Sequence, residues 1–200
     1  MKSVSKILPV VLAGLLVFSA CKKTGTSDGF DVMSFSDDTT AAAQLVEQAN
    51  QDLNKIKVMY KKNEVQREEL IAAMGDKDTE KVKQITDDLV YLINDGMSLG
   101  ESAVEKISQA QQMNINPDFK DYLSMKEDSL RKQLAAFEHR RLAVRLLRDS
   151  FGTNDPAMVE KAKLEFKQKE ELFAKTMEES KEISKKANEF AKESSQRNKE

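Results

Sequence analysis

The strongest constraint on the fold is the near absence of helix-breaking residues after residue 38. Strong breakers occur there in three clusters, at residues 75–78, 114–117 and 152–156. Pro117 follows an asparagine and Pro156 follows an aspartate, which is the pattern of an N-cap with proline at the first helical position. Gly75 and Gly152 stand where the end of a helix favours a left-handed residue. The clusters predict four helices, at about 38–74, 79–113, 117–151 and 156–195.

Apolar residues recur at spacings of three and four along each predicted helix, as in Val82, Ile85, Leu89 and Leu92. This spacing keeps an apolar stripe on one face. Three short connections between helices of matched length make neighbouring helices antiparallel, so an elongated up-down-up-down four-helix bundle with coiled-coil-like packing is the simplest closure. We therefore predict an all-α chain with one domain at 38–197. Two separate hairpins, or a rod that dimerises to complete its core, remain alternatives.

The first twenty residues have the order of a secretory signal peptide. Lys2 and Lys6 precede an apolar run from Ile7 to Phe18, and small residues follow it. The run is about a dozen residues long, whereas a membrane-spanning helix needs about twenty. We therefore expect residues 1–20 to be a cleaved signal peptide and not a permanent transmembrane segment.

The stretch Phe18-Ser19-Ala20-Cys21 resembles the lipobox of bacterial lipoprotein precursors. The resemblance covers residues 1–21 only. It implies that a dedicated peptidase cuts before Cys21 and that this cysteine carries the lipid, palmitate included, which anchors the chain to a membrane of the bacterial cell envelope. Lys22 follows Cys21, a context similar to that of outer-membrane lipoproteins in enteric bacteria, so the outer membrane is favoured over the inner. Whether the body faces the periplasm or the exterior stays open.

Residues 21–37, rich in Thr, Ser, Gly and Asp after Cys21, are predicted to form a flexible tether.

The sequence lacks the residue constellations of most enzymes. Cys21 is the only cysteine and His139 is the only histidine, so Cys-based metal sites, Glu-x-x-His di-metal pairs and c-type haem attachment are excluded. No Gly-rich phosphate-binding loop occurs. The formal net charge of −2 gives no field for nucleic acid. We predict no enzymatic activity, no cofactor, no metal and no nucleic-acid partner.

Four polar residues, Asn63, Arg67, Arg141 and Lys169, stand at positions that should be apolar. Reflection of the helices about the predicted loops puts them at similar heights and puts Arg141 near Leu89 and Glu165. A buried charge needs a partner, and Asp87, Asp88 and Glu165 are expected to supply partners. Two interpretations remain open: a polar layer that fixes the helix register, or a pocket for an anionic ligand.

The third predicted helix carries a basic stripe of Arg140, Arg141, Arg145 and Arg148. Such a stripe can bind an acidic partner surface or anionic headgroups. It can also simply pair with acidic residues of the fourth helix. The second predicted helix contains Gly96 and Gly100, which indicate either close helix packing or a mid-helix bend or cavity.

The leading functional hypothesis is a membrane-anchored, non-enzymatic helical module that binds another protein or itself. A carrier or sensor of a small anionic ligand, and a dimerising spacer, are the two alternatives.

Overall fold

The computed structural model describes residues 38–62, 64–151, 153 and 155–197. All of its elements are α-helices: α1 (Asp38–Lys62), α2 (Glu64–Asp76), α3 (Thr79–Gln112), α4 (Pro117–Phe151) and α5 (Pro156–Arg197). The predicted all-helical class is thus confirmed. The predicted signal peptide, Cys21 and the tether lie outside the described residues.

The helix boundaries follow from local chemistry. The side chain of Asp78 accepts a hydrogen bond from the backbone N–H of Lys81 at 3.1 Å and caps α3. Pro117 and Pro156 open α4 and α5, and the preceding Asn116 and Asp155 side chains accept backbone N–H groups. The left-handed residue after α2 is Lys77, with φ of 57°, and not Gly75. The helix continues to Asp76, past the predicted end.

Over the predicted first helix, 38–74, the structure describes α1 as far as Lys62 and α2 from Glu64 onward. Asn63, the residue between them, lies outside the described residues.

The helices pack largely in chain order. Within the described part of the chain, α1 and α2 both pack on α3, α3 packs on α4, and α5 packs mainly along α4. Partner helices are antiparallel, because the residue numbers of successive contacts rise on one helix and fall on the other. The contacts are Asp38–Asn114 and Asp52–Lys106 at α1 and α3, Asp87–Arg148 and Asn94–Arg141 between α3 and α4, and Lys132–Glu179 and Arg140–Glu170 between α4 and α5.

Different helices contribute to the apolar core at the two ends of the molecule. Near the start of α1, the core cluster contains residues of α1, α3 and α4, such as Ala49, Val104 and Leu130. Near the other end it contains Leu70 of α2, Ile85 of α3 and Leu147 of α4, with Val159 and Phe166 of α5 packed against it. The second half of α5 is therefore bound to α4 by other contacts.

Those contacts are polar and involve small side chains. Ser129 and Ser180 are fully buried, and the hydroxyl of each donates to the backbone carbonyl of the other at 3.0 and 2.8 Å. Lys126 donates to Ser184 and Asn188. Serine side chains let two helix backbones approach closely while their hydroxyls stay hydrogen-bonded.

Candidate functional site

Two rows of exposed or half-buried side chains border the line along which α3 and α4 meet. The α3 row consists of Asp87, Tyr91, Asn94, Ser98, Glu101, Glu105, Ser108 and Gln112. The α4 row consists of Glu127, Arg131, Leu134, Glu138, Arg141, Arg145 and Arg148. Alternate spacings of three and four keep each row on one helix face. We call the surface formed by the two rows the seam face.

The seam face lies away from α1 and α5. On α3, Ser102 and Lys106 point to Asp52 of α1, on another side of the helix. On α4, Arg140 and Lys132 point to acidic residues of α5. Hence α1 and α5 leave the seam face open.

One half of the seam face is basic. Arg148 donates to Asp149 at 2.8 Å and to Asp87 of α3 at 3.4 Å. The hydrogen bonds that Arg148 donates to Asp149 and, with a smaller effect, to Asp87 raise the pKa of its guanidinium. Burial of the side chain opposes that rise. Arg141 donates to Asn94 at 3.3 Å and to Glu138 at 2.6 Å.

Two side chains in this basic half have no partner in the described part of the chain. Arg145 makes no hydrogen bond or ion pair with any described residue. Tyr91, opposite it on α3, is 71% exposed. An exposed tyrosine beside an arginine can both cover an apolar surface and recognise a polar one.

The other half of the seam face is a groove of about 450 Å³. Val104 and Leu134 supply apolar surface, and polar side chains line the rest: Glu101, Glu105, Ser108, Gln109, Gln112 and Arg131. Arg131 is already paired with Glu127 at 2.6 Å. The groove therefore has a negative excess, from Glu101 and Glu105.

The structure separates the predicted basic stripe into two surfaces. Arg141, Arg145 and Arg148 lie in the seam face, whereas Arg140 points to α5. Arg140 binds Glu170 through two hydrogen bonds of 3.2 and 3.0 Å, and its guanidinium carbon lies 3.6 Å from the ring centre of Phe173. Arg140 thus joins α4 to α5 and is not displayed for a partner.

Of the predicted polar layer, the structure describes the side chains of Arg141, Glu165 and Lys169. Asn63 and the side chain of Arg67 lie outside the described part of the chain. Arg141 lies beside Asn94, Glu165 contacts Lys161 of its own helix at 3.8 Å, and Lys169 is half-buried on α5.

An aromatic cluster lies at the height of the predicted polar layer. Tyr60 stacks on Phe137 with ring centres 5.2 Å apart, and Phe137 meets Phe173 edge-on at 5.6 Å. Burial raises the pKa of the Tyr60 hydroxyl, although the charge of Arg140 opposes that rise. Three aromatic rings therefore pack together at this height, and the guanidinium of Arg140 lies against one of them.

Tyr91 and the α3 row were not among the predicted site residues. The signal was present in the sequence, because polar residues repeat at spacings of four and three from Asp87 to Gln112. A polar repeat normally marks a solvated face, so it carries information only when the helix opposite it is known.

No helix in the described part of the chain is long and apolar enough to cross a membrane. The described residues also contain no group of His, Cys, Asp and Glu side chains that could hold a metal ion. Comparison of the chain with protein families, with curated proteins and with solved structures finds no match.

Proposed function

We propose that this protein is a lipid-anchored, non-enzymatic module of the bacterial cell envelope that binds another protein chain through its seam face. In this proposal Cys21 carries the lipid and residues 22–37 form the tether. The helical body is an elongated up-down-up-down bundle in which α1 and α2 together take the position of the first of four helices. The signal-peptide features and the lipobox resemblance at Phe18–Cys21 support the anchor.

The observation that carries the binding function is the seam face itself. Its α3 row runs over 26 residues from Asp87 to Gln112, and the 25 steps between them at 1.5 Å each give about 38 Å. Two helices of about 10 Å width give roughly 750 Å² of surface, close to the roughly 800 Å² that each partner contributes to an ordinary protein interface. Its basic half displays an exposed tyrosine and half-buried arginines, and both residue types are enriched among energetically dominant interface residues.

Site-specific photo-cross-linking in cells tests the binding function. A benzophenone amino acid replaces Tyr91 in the seam face of the full chain, and in a matched chain it replaces Gln168, which is exposed on α5. We expect one discrete cross-linked product from position 91 and none of comparable yield from position 168. Equal yields at both positions, or no product at either, would contradict the proposal.

The anchor is tested independently with Cys21→Ser. The unmodified chain should incorporate labelled palmitate and sediment with the outer membrane, and the variant should lose the label and the lipid-dependent sedimentation. Palmitate labelling that persists in the variant would contradict lipidation at Cys21.

A further inference from the structure

The two rows of the seam face carry opposite charge. Every charged residue of the α3 row is acidic: Asp87, Glu101 and Glu105. The α4 row has four arginines and two glutamates, a net charge of +2. A surface divided lengthwise into a negative and a positive row is complementary to a copy of itself that is turned by 180° about the line between the rows.

We propose that a second copy of this chain occupies the seam face in a parallel dimer whose two-fold axis runs along the seam. This inference rests on the proposed function, because it names the partner that the seam face binds. The rotation exchanges the sides on which the two rows lie and leaves each residue at the same position along the axis. The α3 row of each copy therefore faces the α4 row of its partner.

The heights of opposing residues follow from pairs within one copy. Asp87 is level with Arg148, and Asn94 is level with Arg141, since these pairs are in contact. Across the axis, Asp87 therefore meets an arginine of the other copy. The same register brings Glu105 to the level of Arg131, because both line one groove. No two charges of the same sign are opposed at these heights.

Tyr91 and Arg145 are explained by the same arrangement. Tyr91 lies one helical turn from both Asp87 and Asn94, and Arg145 lies one turn from both Arg141 and Arg148. Tyr91 of one copy is thus level with Arg145 of the other, where an arginine over an aromatic ring is favourable. The two side chains without partners in the described part of the chain supply contacts for each other.

A parallel pair also agrees with two anchored chains. The backbone N–H of Asn114, in the turn between α3 and α4, donates to Asp38 at the start of α1 at 2.9 Å. The tether therefore joins the body at that end of the seam. A parallel dimer puts both tethers at the same end, toward one membrane, whereas an antiparallel dimer would put them about 38 Å apart at opposite ends.

A charge-exchange test, in which two differently tagged full-length chains carry reversed charges in one row of the seam face, tests the dimer. Capture of one tag in mild detergent should recover the other for the unmodified chain. Reversal of the α4 row with Arg131→Glu and Arg145→Glu should reduce recovery about tenfold, and so should reversal of the α3 row with Glu101→Arg and Glu105→Arg. The pair that mixes one variant of each kind should recover to within about twofold of the unmodified pair.

Matched control variants make the same changes of charge on α5, outside the seam face. Lys185→Glu with Lys186→Glu, and Glu182→Arg with Glu193→Arg, alter exposed residues outside the seam face and should leave recovery unchanged. Recovery in the mixed pair also shows that both variants fold. No recovery for the unmodified pair, or a mixed pair no better than the reversed pairs, would overturn the dimer.

Orientation is tested with Gln112→Cys in the full chain and a cross-linker of about 10 Å, the spacing of packed helices. A parallel dimer places the two introduced cysteines within reach, whereas an antiparallel one separates them by about 38 Å. The unmodified chain controls for cross-links through Cys21. Absence of the cross-link in a chain that passes the charge-exchange test would overturn the parallel arrangement.

The two proposals fail in distinguishable ways. A photo-cross-link from position 91 to a different protein, with no recovery between tagged copies, would overturn the dimer and leave the binding function standing. No photo-cross-link and no recovery between tagged copies would overturn both.

Discussion

Leu134 of α4 packs directly on Gly100 of α3. A Cβ placed on Gly100 would lie 2.7 Å from Cδ2 of Leu134, whereas a Cβ on Gly96 would meet Tyr60 and Ile56 no closer than 3.8 Å. Both glycines are buried in an unbroken helix and neither has a positive φ. Of the two sequence interpretations, close packing is realised at Gly100, and its neighbour there also lines the groove of the seam face.

The two glycines should respond differently to alanine. Gly96→Ala gains helix propensity with ordinary contacts, so we expect the free energy of unfolding to rise by about 1 kcal/mol. Gly100→Ala must displace the Leu134 side chain toward the groove, which offsets that gain. Urea unfolding should place Gly100→Ala at least about 1 kcal/mol below Gly96→Ala. Equal stabilisation by both changes would contradict the packing described here.

Asp52 should stabilise the protein above pH 4 and lose that effect in acid. It is only 5% exposed and accepts hydrogen bonds from Lys106, from Lys55 at 2.9 Å and from Ser102 at 3.0 Å. Burial opposes its ionisation, but these donors prevail and lower its pKa from 3.8 to about 2. The folded state therefore binds the proton less tightly than the unfolded chain, so stability falls as the pH drops through this range.

Asp52→Asn should accordingly lower the free energy of unfolding by about 2 kcal/mol at pH 7. The difference from the unmodified protein should shrink between pH 4 and pH 2 in denaturant titrations. Asp128→Asn, on an exposed side chain of α4, is the control. A loss that is the same at pH 7 and pH 2 would show that the carboxylate charge is not the cause.

Lys126 should make stability increase at alkaline pH. It is 4% exposed between α4 and α5, donates to Asn188 at 2.8 Å and to Ser184 at 3.2 Å, and burial lowers its pKa from 10.5 to about 8. Between these values the unfolded chain holds the proton more tightly than the folded one. Charging the lysine therefore destabilises the fold below pH 8, and that cost disappears as the pH rises to about 10.5.

The comparison with Lys126→Met isolates this effect. Relative to the variant, the unmodified protein should gain on the order of 2–3 kcal/mol between pH 7 and pH 10.5, measured by denaturant unfolding. Lys185→Met, on an exposed lysine of α5, should show no such relative change. Parallel pH curves for the unmodified protein and Lys126→Met would contradict burial of a charged amine.

Arg141→Leu separates a binding face from a ligand pocket. The Arg141 side chain is 27% exposed and its partner Glu138 is 34% exposed, so their ion pair contributes little to stability. We expect the free energy of unfolding to change by less than about 1 kcal/mol, and thermal shift screening against small anions to show no stabilisation that the substitution removes. Stabilisation of the unmodified protein by an anion, abolished by Arg141→Leu, would instead favour the ligand-sensor alternative.

The sequence was sufficient for the helical class and for features set by neighbouring residues. Proline after a capping residue acts over two or three positions, and α4 and α5 begin at Pro117 and Pro156.

The pairing of side chains between helices could not be derived in the same way. Arg140 and Arg141 are adjacent in sequence but about 100° apart around the helix axis, so one faces α5 and the other α3. Reflection about the loop put Arg141 near Leu89, and the structure puts it beside Asn94, since a loop does not fix how far two helices slide past each other. The seam face depends on both quantities, rotation and slide, and so required the structure.

The central claim is that the seam face is covered by another protein chain in the cell. Ser98 lies at the middle of the seam face and Gln168 lies on α5, and both are exposed in one copy of the chain. Cells carrying Ser98→Cys or Gln168→Cys in the full chain are treated with a membrane-permeant maleimide, and labelling is compared before and after dilution into high salt and mild detergent. We expect position 98 to react several-fold more slowly than position 168 in cells and at the same rate after dilution; equal rates in intact cells would contradict the account.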